Sequence, residues 1–211
     1  MDSVNVFLIL LVAFISVIAT IYAYTMLARE IAVEDLPKAY AIWLLTIASL
    51  FGISMTGDAF NLFVFLEISA LSSITLIALG AGQDRRALIA AYNYLIIGAI
   101  GATFYVIGVG YLYAATGTLN LVNIIERLNE LGTNQAAITG LAFMLAGIMV
   151  KAGIFPVHIW LPAAYSYAPS AVSSFLSAVA TKVAIYYFAR LLFGIFINIT
   201  QLIDFFLLYV L

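Results

Sequence analysis

Residues 61–80 read NLFVFLEISALSSITLIALG. As a helix, at 1.5 Å rise per residue, this stretch is about 30 Å long, the thickness of a bilayer's hydrocarbon core. Glu67 is its one ionisable residue. Six further apolar stretches accompany it, most of them long enough to span a bilayer and the last one short. The hydrophobic segments fall at about 4–28, 38–56, 59–81, 87–115, 136–155, 170–195 and 198–211. The pattern predicts an all-α, polytopic transmembrane helix bundle of about seven membrane segments. Residues 1–211 then form a single membrane domain.

Composition leads to the same place. The chain is 66% hydrophobic and 9% charged, against about 25% charged in a soluble domain. A surface so poor in charge requires the lipid bilayer as its solvent. The net charge of −2 comes with no basic patch, so no nucleic acid partner is expected. Absence of cysteine removes disulfides, thiolate metal sites and cysteine nucleophiles. The start, Met-Asp-Ser, has no basic n-region, and the apolar run behind it exceeds a signal-peptide core; it reads as a retained membrane helix.

Charges gather between the segments. Arg29, Lys38, Arg85 and Arg86 fall in loops on one side, Arg127 and Arg190 on the other. The positive-inside rule therefore places the N-terminus outside. Within the longest connection, Leu121, Ile124, Ile125, Leu128 and Leu131 recur at helical spacing, predicting a short amphipathic helix on the membrane surface.

Three ionisable residues lie inside apolar segments: Glu67, Lys151 and Lys182. Glu67 is three residues from the middle of its segment, roughly 4–5 Å from the midplane. Lys182 is central in its own. A charge at the bilayer centre costs about 2.5–3.5 kcal/mol on insertion scales, so such residues pair, face a wet cavity or do a job. Burial penalises a charged form and a nearby opposite charge favours it, so moving a partner can load or release a proton. A structural ion pair is the competing explanation for Glu67 and Lys151. Lys182 has no second midplane acid, since Asp58 starts its helix and Asp204 is near the chain end.

Between the lysines, Pro156, Pro162 and Pro169 predict a broken helix near 151–162. Broken helices at membrane depth line wet cavities or are buried, and transporters place ion sites there. His158, the chain's one histidine, falls in this break as a candidate proton relay. Trp160 reads as a packing residue. Ser69, Ser72, Ser73 and Thr181 are candidates to orient water. Gly98, Gly101, Gly108 and Gly110 read as close helix packing.

TGDAFNLFVFLEI (56–68), VKAGIFPVHIWLP (150–162) and ATKVAIYYFAR (180–190) together resemble the antiporter-like subunits of energy-converting membrane complexes. That family includes proton-pumping subunits of respiratory complex I, the D-type and A-type subunits of the Mrp cation/proton antiporters, and their membrane-bound hydrogenase relatives. The first motif is more similar to the branch of the Mrp D-type chains and the membrane-bound hydrogenases. The resemblance covers roughly 56–190, a proton-antiporter-like core of about one inverted repeat.

It implies that Glu67 pairs with Lys151, that Lys182 continues a midplane polar row, and that His158 joins the relay. It implies a proton or cation/proton half-channel, with sodium as a second candidate ion, and no cofactor, metal or catalytic site of the chain's own. Implied partners are other membrane subunits, among them one supplying a second repeat that this chain lacks. The implied location is the plasma membrane of a prokaryote, multi-pass. Full-length members are longer at both ends. Where the family commonly continues W-L-P with D-A-H-S, this chain has Ala163, Ala164, Tyr165 and Ser166. That departure and the absent repeat favour a truncated scaffold as the alternative; the three midplane charges favour proton handling.

Overall fold

The computed structural model describes residues 3–131 and 134–195. Among them there are helices and no strands. Within the described residues, six helical spans are long and apolar enough to cross a membrane: Ser3–Glu30, Val33–Met55, Ala59–Gly82, Arg86–Thr116, Gln135–Ala152 and Ser170–Gly194. The protein is an all-α polytopic membrane bundle. The seventh expected segment, 198–211, lies outside the described residues, as does Asp204.

Local chemistry sets the helix ends. Helix α1 spans Ser3–Glu30. Helix α2, Leu36–Met55, starts with a proline in its first turn, where no N–H is missed. Helix α3, Ala59–Ala78, is capped by Asp58, whose Oδ1 accepts from the backbone N–H groups of Phe60 (3.0 Å) and Asn61 (2.8 Å). Asp58→Ala is expected to destabilise the protein by about 1 kcal/mol, visible as a lower thermal midpoint in detergent. An unchanged midpoint means the cap is redundant with the Asp58–Asn120 bridge beside it. Helix α4, Arg86–Thr116, ends on Gly117 in the left-handed region (φ 70°). The amphipathic α5, Leu121–Leu131, forms as predicted. Its Leu121, Ile124 and Leu128 are buried, packed within the protein's own core.

The expected break is present but begins before the proline. Helix α6, Gln135–Ala152, stops at Gly153 (φ 67°), three residues ahead of Pro156. Only glycine enters that conformation at no steric cost. Residues 153–159 are non-helical, with a cis Phe155–Pro156 peptide. Helix α7, Trp160–Tyr167, resumes beyond the break. Helix α8, Ser170–Gly194, follows Pro169 and contains a wide π-helical turn at Leu176–Ala180.

The tightest packing joins α4 to α6. Gly101 faces Gly147, and Gly108 faces Gly140; a Cβ on any of them would strike the other helix. Glycine lets the two backbones approach closely. Two of the four glycines expected to pack do so. A Cβ on Gly98 would meet only the Tyr94 ring at 3.7 Å, and one on Gly110 would meet nothing within 4 Å. Trp43 ties three helices together: its indole donates to Thr20 on α1 at 3.0 Å, and its ring contacts Phe175 on α8 at 4.7 Å.

At one end of the bundle the turns after α1 and α3 meet the start of α8. The Glu30 carboxylate accepts from the Ser170 N–H (2.8 Å) and hydroxyl, and Arg86 sits over the Tyr167 ring at 4.7 Å. Hydrogen bonds from Arg86 hold the Asp84 carboxyl below the usual carboxylate range.

Candidate functional site

Glu67 arises from the middle of α3 and Lys151 from the last turn of α6. Both are partly buried, and both line one cavity with Tyr94, Gly98, Gly101, Tyr105 and Gly147. Its volume, about 30 Å³, is room for a water molecule. The glycine pairing of α4 with α6 brings Lys151 to this depth, and the break after Gly153 ends the helix beside it.

No ion pair within 4.0 Å joins Glu67 to Lys151 among the described residues. The two charges interact across the cavity. The lysine's direct partner is Tyr94: Lys151 Nζ donates to the Tyr94 hydroxyl at 3.0 Å and lies 5.5 Å from the ring centroid. Tyr94 in turn stacks on Trp160, centroids 4.0 Å apart and planes 7° from parallel. The Trp160 indole N–H donates to the carbonyl of Val150, the residue before the lysine, at 3.0 Å. Trp160 packs, as read from the sequence, and also ties the broken helix to the lysine's turn.

A second cavity, about 10 Å³, lies on another side of the same lysine. Ser73, Tyr94, Lys151, Trp160, Tyr165 and Thr181 line it. Ser73 Oγ is buried and without a hydrogen bond in the structure; so is Ser69 Oγ, which lines neither cavity. Ser72 donates to the Ser69 carbonyl at 3.3 Å. Of the four water-orienting candidates, Ser73 and Thr181 reach this cavity. Tyr165 stands where the resembled motif has its histidine, and its hydroxyl donates to the Leu176 carbonyl at 3.3 Å.

Lys182 follows the π-helical turn directly and faces outward from the bundle. Its ammonium donates to the Ser177 carbonyl and lies 3.5 Å from Thr181 Oγ1. Thr181 thus links the second cavity to Lys182. Among the described residues no carboxylate lies within 4.0 Å of Lys182. His158 is also exposed, against Phe155 at 5.8 Å, and lines neither cavity. The structure therefore gathers Glu67 and Lys151, connects Lys182 through Thr181, and leaves His158 on the outer face of the break. Tyr94 is the residue that sequence reasoning missed. Its one signal is a phenol in an apolar span, whose hydroxyl needs a partner when buried.

An all-α bundle of membrane-spanning helices with an acid and a lysine lining one cavity belongs to the class of polytopic membrane proteins. The sequence comparisons make the class specific. Residues 56–210 match the NADH:quinone oxidoreductase/Mrp antiporter transmembrane family. The chain belongs to this family.

It is 47% identical over 186 residues to the N subunit of the NADH-quinone oxidoreductase of Desulforudis audaxviator, covering 88% of this chain and 36% of that protein. It is 37% identical over 155 residues to the D-type subunit of the Na(+)/H(+) antiporter of Bacillus subtilis, covering 73% of this chain and 31% of that one. In structure it is similar to a chain of the membrane-bound sulfane sulfur reductase, an archaeal respiratory membrane complex. There the TM-score is 0.79 at 33% identity, over 87% of this chain and 36% of the other. The chain spans about a third of the length of these relatives.

Proposed function

We propose that this chain carries half of a proton path in a multi-subunit energy-converting or Mrp-type antiporter complex of a prokaryotic plasma membrane. One observation carries the proposal: Lys151 is held by a neutral hydroxyl, not a carboxylate, and faces Glu67 across a cavity with room for water. An ammonium locked in an ion pair would favour a structural role. One held by a phenol, with a carboxylate across a water-sized gap, has two alternative partners. Shifting between them changes how strongly each group holds its proton.

Thr181 supports continuation of the row to Lys182. A lysine at membrane depth facing out of the bundle costs about 2.5–3.5 kcal/mol if left against lipid. That cost favours coverage of Lys182 by a further membrane element. His158, also outward, takes its relay role in this proposal at the same kind of contact. Protons are the favoured cargo over directly bound sodium, because an ammonium cannot ligate a cation.

The test is proton translocation in vesicles holding the whole native complex, comparing wild type with Glu67→Ala and Lys182→Ala at matched assembly. Both variants are expected to assemble and to translocate at least about tenfold more slowly, a barrier rise of about 1.4 kcal/mol or more. Unchanged translocation in both would make the charges structural and the chain a scaffold.

A further inference from the structure

Lys151 and Tyr94 are the polar side chains that line both cavities; Ala180, Trp160 and others line one only. The lysine and the phenol therefore form the partition between the Glu67 side and the Thr181 side. The ammonium donates to the Tyr94 oxygen, which leaves the tyrosine's own O–H hydrogen free to point elsewhere. Beside it, in the second cavity, lies Ser73 Oγ, buried and without a hydrogen bond. An unsatisfied buried hydroxyl calls for an explanation, and a water in the cavity that Ser73 shares with Tyr94, or a small approach of the phenol, would supply its partner. Beyond Ser73, the same cavity reaches Thr181, which adjoins Lys182.

The phenol's position is fixed from three helices. Tyr94 comes from α4, its ring stacks on Trp160 of α7, and Trp160 is anchored to the Val150 carbonyl of α6. The hydroxyl is thus presented to Lys151 by a rigid aromatic pair, tied to the lysine's own helical turn. Movement of α7 relative to α6 would move the hydroxyl.

We propose that Tyr94 is a positioning residue for proton transfer: its hydroxyl holds Lys151 off Glu67 and bridges it to Ser73 and Thr181 on the Lys182 side. This rests on the proton-path reading. It adds that the lysine's two partners are Glu67 and Tyr94, and that breaking the Tyr94 bond uncouples the two cavities. Tyr94 need not ionise; its hydroxyl accepts from the lysine and donates onward.

The experiment uses the whole native complex in vesicles with Lys151→Ala, Tyr94→Phe and Ser73→Ala, each assayed for translocation rate across a range of pH. Tyr94→Phe keeps the ring stacked on Trp160 and removes only the hydroxyl. The expected result is a loss of about tenfold or more in Tyr94→Phe, with a displaced pH–rate profile, and a smaller loss in Ser73→Ala. Packing alone would leave Tyr94→Phe at the wild-type rate and profile. That outcome, with Lys151→Ala inactive, overturns the role of Tyr94 and leaves the proton path standing. A Lys151→Ala complex that translocates normally overturns both. If Tyr94→Phe fails to assemble, Ser73→Ala decides: a wild-type rate and profile there overturns the bridge.

Discussion

Lys151→Ala is expected to reduce proton translocation by the native complex to the leak of the vesicles, and Lys151→Arg is expected to do the same. The alanine removes the cation that lines the cavity with Glu67. It leaves Tyr94 with no ammonium to hold and opens the partition between the two cavities. The arginine separates charge from proton exchange. It preserves the positive charge, but a guanidinium does not give up its proton in a protein, whereas a lysine can. If Lys151 serves only as a fixed charge holding Glu67 in place, arginine restores activity. If it must load and release a proton, both variants fall by at least about tenfold, or about 1.4 kcal/mol in barrier. Translocation at matched assembly is the measurement, and an active arginine variant would return the lysine to a structural role.

Gly147→Leu is expected to prevent assembly, while Gly110→Leu leaves this chain's own packing intact. A Cβ at Gly147 would meet the backbone oxygen of Gly101, and Tyr105 Cβ and N at 2.8 Å. Those are backbone and near-backbone atoms, so no rotamer change relieves the clash. Adding even one methylene to a packed core costs about 1–3 kcal/mol, and leucine adds several. Helices α4 and α6 would have to part along the seam that also walls the Glu67–Lys151 cavity. At Gly110 nothing lies within 4 Å of the same position. The yield of assembled complex on native gels and its thermal midpoint in detergent compare the two. Equal yields would show that α4 and α6 can separate without loss of the fold.

Much of the site was legible because its residues are expensive where they stand. Glu67, Lys151 and Lys182 stand out in any apolar helix, and each lies in a membrane span or at its end in the structure. The helix break was legible from its prolines, though Gly153 sets its edge by adopting a positive φ. Tyr94 was not legible. An apolar span rich in aromatics contains many tyrosines, and nothing in spacing says which one meets a lysine 57 residues away. The glycine seam was half legible: Gly101, Gly108 and Gly98 read alike in sequence, yet only the first two meet another backbone.

The sequence by itself determined the solvent, the class of fold and the identity of the charged groups. Those follow from transfer free energies, which depend on each residue and its immediate segment. It also determined the family, through motifs that run in order along residues 56–190. Only the tertiary structure decided who faces whom. It set Lys151 on Tyr94 with Glu67 across a water-sized gap, brought Thr181 into the lysine's second cavity, and turned His158 outward. The reason is geometric. A side chain's partner depends on the rotation and height of one helix against another, which the Gly101–Gly147 and Gly108–Gly140 contacts fix between chain positions far apart in sequence.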